Sequence, residues 1–246
     1  MIRNSFIFLD KVHKKTEQNI LKQGIKDWHC FIKTEKIKGI SNKRKHFFNR
    51  KIMEAQKALY NLNSHYFTKL LPSTETWRLY EFFKDETLFL DIEIANKKGD
   101  INVIGMFDGI NTKVMVYGFN LDLKRLKQEL NKYKLIVTFN GSVFDIPVMK
   151  KYFSDIIPKI PHIDLRFLCS KVGLKGSLKD IEPKLNINRP RNLRGSPVDL
   201  WKAYHASGDK EYLDLLIQYN EEDTINLKPI MEFCYKKLKH KYFNKT

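Results

Sequence analysis

The stretch Leu88-Phe89-Leu90-Asp91-Ile92-Glu93-Ile94 constrains the fold more tightly than any other part of the chain. As a strand it puts Leu88, Leu90, Ile92 and Ile94 on one face and Phe89, Asp91 and Glu93 on the other. The first face demands a core. The second carries two carboxylates at i and i+2, which repel and lose hydration unless a cation lies between them. An amphipathic strand with one wetted face shows the same alternation and needs no cation.

Around this strand the hydrophobic period switches back and forth. Thr87–Ala95, Ile101–Phe107 and Lys113–Phe119 read as three strands joined by short turns, among them Lys97-Lys98-Gly99-Asp100. Leu121–Tyr133 reads as a helix and Leu135–Phe139 as a fourth strand, after which Asn140-Gly141 turns into a second helix. Asp164 opens a segment around Leu165, Phe167 and Leu168. Ser177–Leu185 reads as a short helix, with Ser177 and Asp180 in capping-box spacing. Val198–Ala206 and Asp209–Lys239 read as closing helices. A three-strand meander followed by mixed strands and helices predicts an α/β fold with one mixed sheet.

The N-terminal third differs in charge. Residues 1–75 hold 16 Lys and Arg against 6 Asp and Glu, a net of +10; residues 76–246 hold 29 against 22, a net of +7. The spacing predicts a basic helical region over 1–75, with Thr16 capping one helix and a second running from about Asn49 to Leu71. Between them lies the basic, aromatic run Lys43-Arg44-Lys45-His46-Phe47-Phe48. Pro72-Ser73-Thr74 reads as a turn and a boundary, with the α/β domain over 76–246. Val12–Ile25 faintly resembles half of a helix-hairpin-helix but lacks its hairpin glycines, at Lys11 and His13; a small helical bundle packed on the rest fits better.

A formal net charge of +17 on 246 residues favours polyanionic partners, nucleic acid first among them. A Lys-rich chain with solvated faces would carry the same charge. Hydrophobic residues make up 42%, enough for a real core, so wholesale disorder is excluded. No apolar run approaches the ~20 residues of a membrane span, and the N-terminus lacks a secretory pattern, so no membrane partner is expected. The three cysteines are far apart and form neither a disulfide framework nor zinc spacing, which suits a cytoplasmic protein. There is no P-loop, no GxGxxG and no GxSxG, so nucleotide hydrolysis, dinucleotide redox and serine-hydrolase chemistry have no support.

Two further stretches hold chemistry. Phe139-Asn140-Gly141-Ser142-Val143-Phe144-Asp145-Ile146-Pro147 places a carboxylate where a strand ends and a helix begins; Asp145 also fits an N-cap, or a capping box with Ser142. In Tyr219-Asn220-Glu221-Glu222-Asp223 a helix would set Tyr219 and Asp223 on one face. A tyrosine half buried beside surface acids fits that spacing too.

Taken in order, Asp-x-Glu on a strand, Asn-(x)3-Phe-Asp after a later strand and Tyr-(x)3-Asp on a late helix resemble the DEDD exonucleases of the ribonuclease H-like superfamily. The likeness is to their tyrosine subgroup, which includes the proofreading domains of family B DNA polymerases. The stretch from Trp77 to Tyr235 is similar to a group of predicted ribonuclease H-like exonucleases, also at His162-Ile163-Asp164-Leu165, Ser177-Leu178-Lys179 and Gly208-Asp209. That group often carries His where this chain has Tyr219. The resemblance implies a ribonuclease H-like fold and a 3′–5′ exonuclease acting on nucleic acid, DNA favoured over RNA. It implies that Asp91, Glu93, Asp145 and Asp223 hold two divalent cations, Mg²⁺ or Mn²⁺, that Tyr219 orients the attacking water, and that Asn140 supports the site from behind. Hard divalent ions prefer such oxygen ligands. Arg189, Arg191 and Arg194 in a basic loop, with Lys43, Arg44 and Lys45, are candidate phosphate contacts. Competing readings are an endonuclease with the same metals, a non-catalytic nucleic-acid-binding protein on this fold, and a basic interaction protein without metal. The sequence leaves the oligomeric state open.

Overall fold

The computed structural model describes residues 1–96, 99–190, 193 and 195–243. The Lys97-Lys98 turn, Arg191 and Arg194 lie outside the described residues.

Among these, five strands form one mixed sheet in the order β3-β2-β1-β4-β5. The strands are β1 (Thr87–Ile94), β2 (Ile101–Phe107), β3 (Thr112–Val116), β4 (Leu135–Thr138) and β5 (His162–Asp164). The first three form an antiparallel meander, and β4 and β5 add in parallel. The fifth strand escaped the sequence pattern because it is three residues long, with only Ile163 buried.

Alternation along β1 divides the core. Leu88, Leu90 and Ile92 pack with α5 (Leu123–Leu130) and α6 (Asp145–Tyr152) through Leu126, Leu130 and Met149. On the opposite face Phe89 joins a second cluster with Leu227, Ile230 and Met231 of the final helix. That helix, α10 (Lys210–Phe243), is 34 residues long and crosses the sheet, touching β2 and β1 above all. Between β5 and α10 lie α7 (Leu165–Lys171), α8 (Leu178–Ile181) and α9 (Pro197–Ser207). The capping box holds: the Ser177 amide donates to Asp180 Oδ2 at 2.7 Å.

One residue sets how near α10 can come. Gly105 is the β2 partner of Asp91, so both face α10, and a Cβ there would overlap Asn220 Oδ1 and Thr224 Oγ1. A glycine inside an otherwise bulky strand marks such close backbone approach. Gly105→Ala is expected to cost about 1–3 kcal/mol by overpacking. Denaturant unfolding checks this, and an unchanged midpoint contradicts it.

The N-terminal region contains α1 (Lys14–Leu21), α2 (Trp28–Lys33), α3 (Asn42–Tyr60) and α4 (His65–Thr68). The third helix starts seven residues earlier than the apolar spacing predicts. Ser41 caps it, and the basic run forms its first turns. Phe6, Trp28, Phe31, Phe48 and Phe67 are buried in one cluster that continues without a break into Phe89 and α10. No helix among the described residues is long and apolar enough to cross a membrane.

Candidate metal centre

The carboxylates meet where β1 faces α10. Asp91, Glu93 and Asp223 each contribute an oxygen, and these oxygens lie within 4.8 Å of one another. Two come from the i, i+2 pair on one strand face, and the third comes from α10, far along the chain, so that only the fold brings them together. Asn220, one turn before Asp223, donates from Nδ2 to Asp91 Oδ2 at 2.9 Å. Close approach at Gly105 makes this bond geometrically possible.

Asp145 is placed differently. It is 2% exposed at the first position of α6, and its Oδ1 accepts the Ile92 amide at 3.1 Å. The β4 ladder along β1 ends at Phe89, so beyond it the β1 backbone has no strand partner on that side. Asp145 takes the vacant hydrogen-bond position and thereby sits beside both Asp91 and Glu93 in charge terms. It does not belong to the three-oxygen cluster.

The turn that carries Asp145 is tied down by Asp164. Its carboxylate accepts from the Asn140 amide at 2.8 Å, the Ser142 amide at 3.0 Å and the Ser142 hydroxyl, while capping α7 at the Arg166 amide. Asn140 adopts φ 64, a left-handed conformation that Asn tolerates better than most residues. Its side-chain oxygen accepts from Arg166 at 2.9 Å. These hydrogen bonds of Asn140 shape the turn rather than reach the clustered carboxylates.

Electrostatics follow from the crowding. Burial first, then Asp145, Glu93 and Asp223, push Asp91 well above the ordinary carboxylate range. Burial, Asp223 and Asp145 raise Glu93 to about 8, against the pull of Lys179 and Arg189. Burial raises Asp145 to about 7, although its backbone bonds oppose this. Asp223 is raised as well, by burial, with Arg189 opposing. Four carboxyls raised together signal a site short of positive charge, the perturbation expected where function needs it.

Two cations border the cluster. Arg189 donates from Nε and Nη2 to Glu182, both at 2.6 Å, and its Nη2 also meets Asp223 Oδ1. Buried Glu182 accepts in addition from Asn226 at 3.0 Å. Tyr219 is buried, with the Lys179 ammonium 4.5 Å and the Arg189 guanidinium 5.6 Å from its ring centre. Arg189, expected as a phosphate contact, is therefore engaged inside the site. Lys45 is also turned inward: it is buried, donates to Asn49 at 2.7 Å and lies over the Phe31 ring. It offers no charge to a phosphate in solution. Lys43 is exposed, and Arg44 donates to the Asp10 carbonyl at 3.2 Å and lies over Phe48.

Asn220, Glu182 and Lys179 join the site without having been singled out for it. The spacing of Asn220 to Asp223 on a helix, and a lone glycine in β2, were the available signals; nothing local marks Glu182.

The donor set fits hard divalent cations. It is all carboxylate oxygen, two of the ligands share a strand face, and the neighbouring Arg189 and Lys179 leave the cluster short of positive charge. A model of the RNase H superfamily matches residues 88–235, which spans β1, β2, β3, β4, β5 and most of α10. A comparison with curated proteins finds none that matches. With more than half its length matched, and with a mixed five-stranded sheet flanked by helices around the acidic cluster, the chain belongs to the RNase H superfamily.

Proposed function

We propose that the chain is a metal-dependent 3′–5′ exonuclease of the DEDD type, tyrosine subgroup, acting on nucleic acid, with DNA favoured over RNA. The observation that carries this reading is the convergence of Asp91, Glu93 and Asp223 from β1 and α10 on one cation-deficient point. Superfamily membership supports phosphodiester chemistry.

In this reading Asp91, Glu93 and Asp223 hold divalent ions directly, and Asp145 completes the set from the β4–α6 side. Bound as a pair, Mg²⁺ or Mn²⁺ would supply an activated water and neutralise charge developing on the phosphoryl oxygens. The protein's own groups set the geometry. Asn220 fixes one oxygen of Asp91. The amide of Ile92 fixes one oxygen of Asp145. Tyr219 is assigned the orientation of the attacking water. Burial pushes its hydroxyl above the ordinary phenol value, so it stays protonated at neutral pH and can donate. Arg189, held by Glu182 beside Asp223, is assigned to stabilise negative charge at the edge of the site.

The test uses 5′-labelled single-stranded and duplex DNA and RNA with Mn²⁺ or Mg²⁺. A ladder shortening from the 3′ end and absent in EDTA is expected. A single internal cut makes the protein an endonuclease on the same carboxylates. Binding without cleavage makes it a non-catalytic module.

A further inference from the structure

We propose that a lysine-lined groove in the N-terminal region binds the sugar-phosphate backbone of a single nucleic-acid strand whose end occupies the carboxylate site. The proposal rests on the nucleic-acid substrate proposed above and adds where the rest of that strand lies.

The groove encloses about 810 Å³ between the segment 7–15, Phe47 and Lys51 of α3, and the segment 69–75. Five lysines line it (Lys11, Lys14, Lys15, Lys51 and Lys69) against two carboxylates, Asp10 and Glu75. Lys14 pairs with Glu75 and Lys51 with Glu54. Lys11, Lys15 and Lys69 are exposed, and among the described residues no carboxylate lies within ion-pair distance of them. Three uncompensated charges at one groove form an attractive track for a polyanion. Phe47, 37% exposed, adds an aromatic face at the same wall. Cations alternating with aromatic faces are what a single strand requires: phosphates for the first, bases for the second.

Nearness to the turn that leads into Asp145 favours this occupant over an acidic peptide. Thr74 lines both the groove and a small cavity of about 160 Å³. That cavity is bounded by Ser142, Asp164 and Phe167, whose ring is 57% exposed. Ser142 belongs to the turn that delivers Asp145. Lys171, on the cavity wall, donates to the Thr74 carbonyl and ties the two together. The groove and the small cavity thus meet at Thr74, and the cavity's far wall is the turn that leads into Asp145. The groove also gives a role to a basic N-terminal region that shares a core with a domain of this superfamily.

The test compares wild type with Lys11→Gln, Lys15→Gln and Lys69→Gln combined, and with Lys124→Gln, Lys127→Gln and Lys202→Gln combined. The second set removes the same charge from exposed positions elsewhere. Fluorescence anisotropy in EDTA follows binding of a labelled oligothymidylate of about 20 nucleotides and one of about 4, across a salt series. Three lost phosphate contacts are expected to flatten the slope of log affinity against log salt by about 2 for the long strand. Its affinity at 0.1 M salt is expected to fall on the order of 10- to 100-fold, and the advantage of the long strand over the short one shrinks. The distant triple variant is expected to keep the wild-type slope. Equal slopes for wild type and the groove variant overturn the proposal. So do equal losses on both lengths, or a polyglutamate peptide that binds the groove more tightly than the long strand. Mn²⁺-dependent cleavage by wild type, measured alongside, separates the two readings. Cleavage with an unchanged slope removes the groove and keeps the nuclease, whereas a changed slope without cleavage does the reverse.

Discussion

Asp91→Asn is expected to abolish divalent-dependent cleavage and, in the absence of metal, to make the protein more stable at neutral pH. The substitution is isosteric, and the new carbonyl oxygen can still accept from Asn220 at the 2.9 Å bond now made to Oδ2. What disappears is one negative charge from a cluster in which every carboxyl is raised by burial and by its neighbours. Loss of several kcal/mol of charge stabilisation by the ions corresponds to about 10³-fold or more in rate.

The stability sign follows from linkage. A carboxyl raised in the folded state contributes fully below its unfolded value, and that contribution is lost as pH rises toward the folded value. With Glu93 near 8 and Asp145 near 7, ion-free wild type should lose stability from the ordinary carboxylate range up to about pH 8. Removing the Asp91 charge relieves that loss. Melting curves in EDTA at pH 5 and pH 8 check it: the wild-type drop should be larger than the variant's. An ion-free variant that melts below wild type at pH 8 contradicts the account.

Arg78→Ala is expected to be the most damaging single change away from the site, costing about 3–5 kcal/mol because it strands buried Glu17 and leaves buried Glu75 only its partly exposed lysine partners, Lys14 and Lys171. Arg78 is 2% exposed. Its Nη1 donates to both oxygens of Glu17 at 3.0 Å and to Ser5 Oγ at 2.9 Å, and its Nε donates to Glu75 at 2.9 Å. Glu17 in turn accepts the Phe6 amide at 2.7 Å and the Ile7 amide at 3.2 Å. The guanidinium lies 4.6 Å from the Tyr242 ring centre near the end of α10, and Tyr242 donates to the Asn4 carbonyl at 2.9 Å. One side chain thus joins the N-terminal segment of residues 4–7, α1, the segment 73–79 and α10. Against a typical total of about 5–15 kcal/mol, such a loss leaves little folded reserve. Denaturant unfolding measures it, and a loss below about 1 kcal/mol would show the network to be as weak as a surface ion pair.

The sheet meander and the carboxylate positions were legible because each depends on local pattern. Period two in β1 already separates Leu90 and Ile92 from Asp91 and Glu93, and the structure keeps that separation between two cores. The final helix was legible in its 3.6 period, within four residues at its C-terminus. Features that depend on distant partners were not. β5 is recognised only by its parallel pairing with β4. The start of α3 was hidden because its first turns are basic and mostly exposed, leaving only Phe48 to announce the apolar stripe. Asn220 gains its role from Asp91, 129 positions away, and Arg189 from Glu182 and Asp223. Lys45 looked like a phosphate contact in a basic run, yet helix geometry turns it onto Phe31 and Asn49.

The central claim is that Asp91, Glu93 and Asp223 form a divalent-ion site. The most direct measurement is Mn²⁺ binding at pH 7.5, followed by the electron paramagnetic resonance signal of the free ion, for wild type and Asp91→Asn. The account predicts saturable binding to wild type that weakens at least tenfold in the variant, roughly the 1.4 kcal/mol or more that one lost carboxylate ligand withholds. Equal binding by the two proteins would contradict it.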